Sequence, residues 1–151
     1  MSRKYELFSN GIERISRDIQ RLERMEMARY GLKGPHAQCL LALSRYPEGL
    51  IATQLCELCE KDKAAISRIV TELEEGGLVQ RQERNGTRYR ATLVLTASGR
   101  EAAEGVSRAA KWAVERASEG LSESDRELFY RMLTQIADNL QNICKEGLLS
   151  E

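Results

Sequence analysis

The chain has 151 residues, of which 42% are hydrophobic and 30% charged, and its 23 basic residues are balanced by 23 acidic ones. This length suits one domain, or one domain plus a dimerisation element. The zero net charge means that any nucleic-acid binding must come from local clusters of Lys and Arg. The sequence lacks both an apolar run long enough to span a membrane and an N-terminal secretory signal. We therefore expect a cytoplasmic protein whose four cysteines are reduced thiols.

A long amphipathic helix is predicted over residues 4–30. Its apolar residues recur at alternating spacings of four and three, which is a heptad seam; they are Phe8, Ile12, Ile15, Ile19 and Leu22. Such a seam suits packing against another long helix, either on a second copy of the chain or within its own domain. Residues 31–35 then break the helix, with Pro35 placed to open the next one.

The next three helices have the pattern of a helix-turn-helix. Helices are predicted over residues 35–46 and about 53–60, and Asp62 is the N-cap of a third helix that Gly76-Gly77 ends. Its buried stripe is predicted from residues at spacings of three and four, which are Ile66, Ile69, Val70 and Leu73. The candidate DNA contacts, largely off this stripe near the N-terminal end, are Lys63, Ala64, Ala65, Ser67 and Arg68.

A basic β-hairpin is predicted directly after this helix. Strands over 80–83 and 89–95 flank Asn85-Gly86, a strong signal for a type I′ turn. Arginines cluster around the turn, and a basic hairpin behind a basic-headed helix is typical of the wing of a winged helix. The candidate DNA contacts of this wing are Arg84, Asn85, Thr87, Arg88 and Arg90, with Arg81 at its base.

Two long helices are predicted at the end of the chain, over about 97–118 and 123–146, with a capping box of Ser122 and Asp125 opening the second. The apolar residues of the last helix that we expect to point inward are Leu128, Phe129, Met132, Leu133, Ile136, Leu140 and Ile143. The predicted fold is mainly α with a small β-hairpin wing. Its parts are an N-terminal dimerisation helix (1–34), a winged helix-turn-helix lobe (35–99) and C-terminal dimerisation helices (100–151).

Residues 62–70, 73–81 and 95–99 together resemble the MarR family of bacterial winged-helix regulators. The second segment reads Leu-Glu-Glu-Gly-Gly-Leu-Val-Gln-Arg and the third Leu-Thr-Ala-Ser-Gly. The resemblance implies a two-fold homodimer that binds a double-stranded DNA operator, with recognition helices in major grooves and wings in minor grooves. It also implies a regulator, more often a repressor, that a small aromatic ligand releases from DNA. The weak candidates for lining the ligand cleft are Tyr30, His36 and Trp112.

The wing departs from the family pattern at one point. The family's Asp-x-Arg is replaced here by Thr87 and Tyr89, so the acidic brace is absent. Arg88, one residue earlier than the usual arginine, is the candidate substitute for the arginine that enters the minor groove.

Three other interpretations compete with DNA binding. His36-x-x-Cys39 and Cys56-x-x-Cys59 have the spacing of a zinc site. Buried cysteines on helices, however, usually pack as small hydrophobic residues. A lone histidine at the start of a helix is more often a surface or capping residue than a metal ligand. We therefore predict no metal or cofactor, and keep a metal- or thiol-responsive regulator using Cys39, Cys56 and Cys59 as an alternative. A second alternative is a winged-helix module that binds other proteins and does not bind DNA. An enzyme is not expected, because a single histidine and no phosphate loop or nucleophile elbow leave catalysis little support.

Overall fold

The computed structural model describes residues 2–84 and 87–147, without the side chains of residues 84 and 87–90. Within these ranges the helices are α1 (Arg3–Ala28), α2 (Gly34–Ser44), α3 (Ala52–Cys59), α4 (Lys63–Glu75), α5 (Ala97–Ala117) and α6 (Glu123–Glu146). Strands β1 (Val79–Arg84) and β2 (Thr87–Leu95) form an antiparallel hairpin between α4 and α5. The predicted fold class, mainly α with a small hairpin wing, is confirmed. No helix in the described ranges is both long and apolar enough to cross a membrane.

The chain divides into two compact units, residues 1–111 and 112–151. The first holds the hydrophobic core, in which α2, α3, α4 and the hairpin pack together with the end of α1 and the start of α5. The stripe predicted on α4 is buried in full. In α2, Leu40 and Leu43 are buried and Leu41 is partly buried. The core therefore fixes α4 by one face along its whole length.

Helix α4 begins and ends where its sequence predicts. The Asp62 side chain accepts a hydrogen bond from the backbone N–H of Ala65 at 2.7 Å, which satisfies one of the free donors of the first turn. At the other end Gly77 has a φ of +72°, a left-handed conformation that glycine adopts without a Cβ clash. These local signals set the length of the helix before any packing is considered.

The hairpin is joined to α5 by the Leu-Thr-x-x-Gly segment. The Thr96 hydroxyl donates to the carbonyl of Gly77 at 2.7 Å and accepts from the backbone N–H of Gly99 at 3.0 Å. A Cβ at position 99 would lie 1.9 Å from the carbonyl oxygen of Leu78, so only glycine permits this approach. Threonine and glycine at this spacing thus hold the start of α5 against the end of α4.

Two long helices leave their apolar faces uncovered. The seam of α1 is 41–52% exposed, so docking on its own domain, the plainer of the two possibilities for this seam, is not what the described residues show. In the second unit, α6 has no buried residue. Six of its seven residues predicted to point inward are 37–48% exposed, and Leu133 is intermediate. That prediction is wrong within one chain, because the helix is amphipathic but no element of its unit covers its apolar face.

Candidate nucleic-acid interface

The exposed face of α4 carries the residues predicted to contact DNA. Lys63, Ala64, Ser67 and Arg68 are exposed and Ala65 is half-buried, while Ile66, Ile69 and Val70 lie in the core on the other side. Neither Lys63 nor Arg68 forms an ion pair or a side-chain hydrogen bond with any residue that the structure describes. Two cations without a partner among the described residues therefore lie near the N-terminal end of a helix that the core holds in place.

The turn between α3 and α4 positions this face. Glu60 takes a left-handed φ of 50° at the end of α3, and Asp62 caps α4 two residues later. Lys61 lies in the turn and acts electrostatically on Glu23 of α1, where burial raises the pKa of the carboxyl group and Lys61 opposes that shift. The positive end of the α4 dipole and the neighbouring cations make this end of the helix suited to phosphate.

Part of the predicted wing is visible. The ladder pairs Val79 with Leu95 and Arg81 with Leu93, and its register shifts between Gln82 and Arg84. Arg81 does not point freely outward, because its Nε donates to Oε1 of Glu74 at 2.7 Å. That contact ties β1 to the C-terminal half of α4.

The other wing predictions lie outside the described residues or side chains. They concern the turn at Asn85-Gly86 and the DNA contacts of Arg84, Asn85, Thr87, Arg88 and Arg90. They stay predictions.

His36 is buried, with only 2% of its surface exposed. Its Nδ1 accepts from the backbone N–H of Lys33 at 3.0 Å, and its Nε2 donates to Oε2 of Glu72 at 2.6 Å. The capping role predicted for this histidine is confirmed and the surface position is wrong, since the ring reaches inward from α2 to α4. Sequence reasoning missed this contact because no local pattern connects two residues 36 positions apart.

The other two candidates for a ligand cleft, Tyr30 and Trp112, belong to different units. Tyr30 is partly exposed, and its hydroxyl lies against α5, where a Cβ at Gly105 would approach it to 2.4 Å. Trp112 is exposed, with the guanidinium of Arg116 5.6 Å from its ring centroid. Core or interface packing is the plainer interpretation of Trp112. Its exposure shows that it is not in a core of its unit, and packing at an interface stays a prediction. Ligand binding by Tyr30, His36 and Trp112 stays a prediction.

The cysteines do not form the metal site that their spacing allows. In the described part of the chain no group of three or more His, Cys, Asp or Glu side chains is arranged to hold a metal ion. Instead, Cys39 and Cys59 are both buried with their sulfurs 3.7 Å apart, as a direct thiol–thiol contact. Cys56 is half-buried and Cys144 is exposed. The contact between two cysteines 20 positions apart is the second feature that sequence reasoning missed.

A helix-turn-helix followed by a two-stranded wing defines the chain as a winged-helix protein. The model of the MarR family matches residues 30–88, which confirms the resemblance seen in the sequence. Residues 30–88 are therefore similar in sequence to the MarR family.

Solved structures show the same fold over nearly the whole chain. A putative MarR family regulator from Listeria monocytogenes, complexed with 26mer DNA, is 19% identical with a TM-score of 0.80, covering 94% of this chain and 96% of that one. A MarR family regulator from Silicibacter pomeroyi is 23% identical (TM-score 0.72; 85% and 86% covered). A MarR protein from Peptoclostridium difficile is 15% identical (TM-score 0.81; 90% and 88% covered). Comparison with curated protein sequences gives no significant match.

Proposed function

We propose that this protein is a transcriptional regulator that binds a double-stranded DNA operator as a homodimer and represses transcription by occupying it. The observation that carries the proposal is the exposed face of α4. There Lys63 and Arg68 have no partner among the described residues, on a helix that the core fixes by its opposite face. A helix of this kind fits the major groove, which admits an α-helix and displays a distinct pattern for each base pair.

The side chains on this face are suited to different kinds of DNA contact. The Arg68 guanidinium is a planar donor able to form paired hydrogen bonds with a guanine, and Ala64 and Ala65 are small enough to meet a thymine methyl group. Lys63, in the first turn, is placed to contact phosphate with the positive end of the helix dipole. Arg68 is therefore assigned to reading bases and Lys63 to anchoring the backbone.

The homodimer is supported by the uncovered helices. Uncovered apolar faces such as those of α1 and α6 are typical of interaction surfaces. A helix that buries no residue also gains little stability without packing. A two-fold dimer presents two α4 helices to successive major grooves about 34 Å apart. The winged-helix neighbour from Listeria monocytogenes is complexed with DNA, which supports DNA as the partner of this fold.

The dimer is tested by the mass of the protein in solution. Leu140→Glu places a charge on the exposed apolar face of α6. By light scattering, we expect the wild-type protein to have twice the mass of one chain and the variant to have the mass of a monomer. Gln141→Glu, one residue along on the same helix, is the matched control and should leave the mass unchanged. A monomeric wild-type protein at micromolar concentration contradicts the proposal.

DNA binding is tested on the promoter fragment upstream of the protein's own gene, by fluorescence anisotropy across a salt series. We expect tight binding that outlasts competitor DNA, with an affinity that falls steeply with salt because phosphate contacts release counterions. Arg68→Ala should weaken specific binding far more than non-specific binding. Arg108→Ala, at an exposed position of α5, serves as the control for the loss of one surface arginine.

Two results count against these assignments. An equal loss of specific and non-specific binding in Arg68→Ala makes Arg68 a phosphate anchor rather than a base reader. Absence of binding to the promoter, followed by failure of a selection from random DNA sequences, replaces the regulator with a winged helix that binds proteins. Release by a small aromatic ligand is measured in the same assay, by adding such compounds to the preformed complex.

A further inference from the structure

Cys39 and Cys59 form a buried thiol pair between the second and third helices. Cys39 lies in the middle of α2 with no exposed surface, and Cys59 is the last residue of α3 with 8% of its surface exposed. Their sulfurs are 3.7 Å apart and share a hydrogen bond. Cys56 lies one turn earlier on α3 and is half-buried. One sulfur of the pair is thus fully enclosed, and the other is at the edge of the core.

The surroundings favour ionisation of Cys59. The hydrogen bond from Cys39, together with the positive charges of Lys61 and Arg45, lowers the pKa of the Cys59 thiol to about 7, although burial opposes the shift. The pKa of the Cys39 thiol is raised, first by its hydrogen bond to Cys59 and then by burial. The thiolate is the reactive form of cysteine. Cys59 is also the sulfur at the edge of the core, whereas Cys39 has no exposed surface, so we assign Cys59 as the nucleophile of the pair.

We propose that Cys59 is an oxidation site for hydrogen peroxide, and that Cys39 resolves the product into an intrachain Cys39–Cys59 disulfide. The proposal stands on the geometry of the pair, in which one edge sulfur has a second sulfur as its direct neighbour. The exposed edge of Cys59 is the side from which a small neutral oxidant reaches its sulfur. Cys144 is exposed and has no such neighbour among the described residues, so we expect no intrachain disulfide from it.

The reaction takes place in two balanced steps. The Cys59 thiolate attacks one peroxide oxygen, the O–O bond breaks and hydroxide leaves, which yields a sulfenic acid on Cys59. The Cys39 sulfur then attacks the Cys59 sulfur and displaces the hydroxyl group, which leaves as water with the Cys39 proton. The cysteine pair loses two electrons and the peroxide gains them.

The disulfide would move the helix-turn-helix. An S–S bond is about 2.05 Å long, so the two sulfurs must approach by about 1.7 Å. Cys59 ends α3 and precedes the left-handed Glu60 and the Asp62 cap, whereas Cys39 is held in the middle of α2. The displacement therefore falls on the turn that orients α4. This step rests on the proposed function, and we expect oxidation to weaken operator binding about tenfold, an ordinary coupling between two sites.

The oxidation site is tested first, without DNA. The reduced full-length protein is treated with hydrogen peroxide, free thiols are alkylated, and peptides are mapped by mass spectrometry without reduction. We expect a Cys39–Cys59 cross-link that dithiothreitol reverses, unchanged in Cys56→Ser and Cys144→Ser. In Cys39→Ala we expect Cys59 to stop at sulfenic acid, which dimedone traps. Peroxide-treated wild type with Cys39 and Cys59 still free, or linked to Cys56 or Cys144 instead, overturns the proposal.

The effect on DNA is tested with the reduced and oxidised wild-type protein on the same promoter fragment. Weaker binding after oxidation, restored by dithiothreitol and absent in Cys59→Ala, supports the switch. Equal binding of both forms with the cross-link present overturns the regulatory step. If neither form binds any DNA, the proposed function fails and the regulatory step fails with it, while the peptide map still decides the oxidation site separately.

Discussion

The contact between His36 and Glu72 provides a quantitative prediction about how α2 supports α4. Replacing His36 with alanine removes a hydrogen bond to a carboxylate, which contributes about 1 kcal/mol once reduced for the 44% exposure of the Glu72 side chain. It also removes the hydrogen bond that His36 accepts from the backbone N–H of Lys33, which contributes about 1 kcal/mol as a helix cap. In addition, the smaller side chain leaves a cavity. We expect the free energy of unfolding to fall by about 2–3 kcal/mol in total.

A double-mutant cycle separates the hydrogen bond from the other losses. Glu72→Ala should cost about 1 kcal/mol, and the double variant should be about 1 kcal/mol more stable than the sum of the single losses predicts, because each single variant already breaks the contact. The assay is urea unfolding followed by circular dichroism, with reduced protein at one fixed concentration, since stability of a dimer depends on concentration.

Glu75→Ala is the matched control for this cycle. Glu75 is an exposed glutamate on the same helix, without a hydrogen bond or ion pair to any residue in the described ranges, so its replacement should change stability by less than about 0.5 kcal/mol. Additivity of the His36 and Glu72 variants would refute the reasoning, because independent sites add to within about 0.3–0.5 kcal/mol.

Three further outcomes are expected. Asp62→Ala should lower the free energy of unfolding by about 1 kcal/mol through loss of the α4 cap, whereas Asp62→Asn should keep most of the wild-type stability because asparagine also caps helices. Thermal unfolding measures both variants, and equal losses contradict the capping role. Gly99→Ala should cost at least about 1–3 kcal/mol because its Cβ meets the Leu78 carbonyl, and wild-type stability in urea would show that α5 shifts freely. The rate of peroxide oxidation of Cys59 should rise about tenfold from pH 6 to pH 8, as a thiol with a pKa of about 7 ionises; a rate independent of pH over that range contradicts thiolate attack.

Helix α4 is the part of the molecule that local sequence determined. An N-cap at Asp62, apolar residues at spacings of three and four, and Gly77 at the left-handed position act within a few residues of one another. Helix bounds and buried face therefore follow from backbone hydrogen bonding and apolar burial alone. The exposed Lys63 and Arg68 follow as well, since residues off the stripe of an amphipathic helix face outward.

Amphipathicity also predicted the long helices, but it could not determine what covers them. The last helix begins at Glu123 and ends at Glu146, as its sequence predicts, yet the face expected to point inward is exposed within the chain. A stripe of apolar residues shows that a surface must be covered and carries no information on whether the same chain or a second copy covers it. The bounds of α6 were therefore predicted correctly, whereas the burial of its apolar face within the chain was not.

Only the tertiary structure decided the contacts between distant residues. His36 and Glu72 are 36 positions apart and Cys39 and Cys59 are 20 apart, so neither pair leaves a periodic signal in the sequence. The sequence spacing of His36, Cys39, Cys56 and Cys59 allowed one metal site, whereas packing of α2 against α3 and α4 divided them into two separate contacts. The amino-acid sequence determined which residues are helical and which are apolar, and packing determined which side chains meet, because such contacts depend on the relative positions of whole helices.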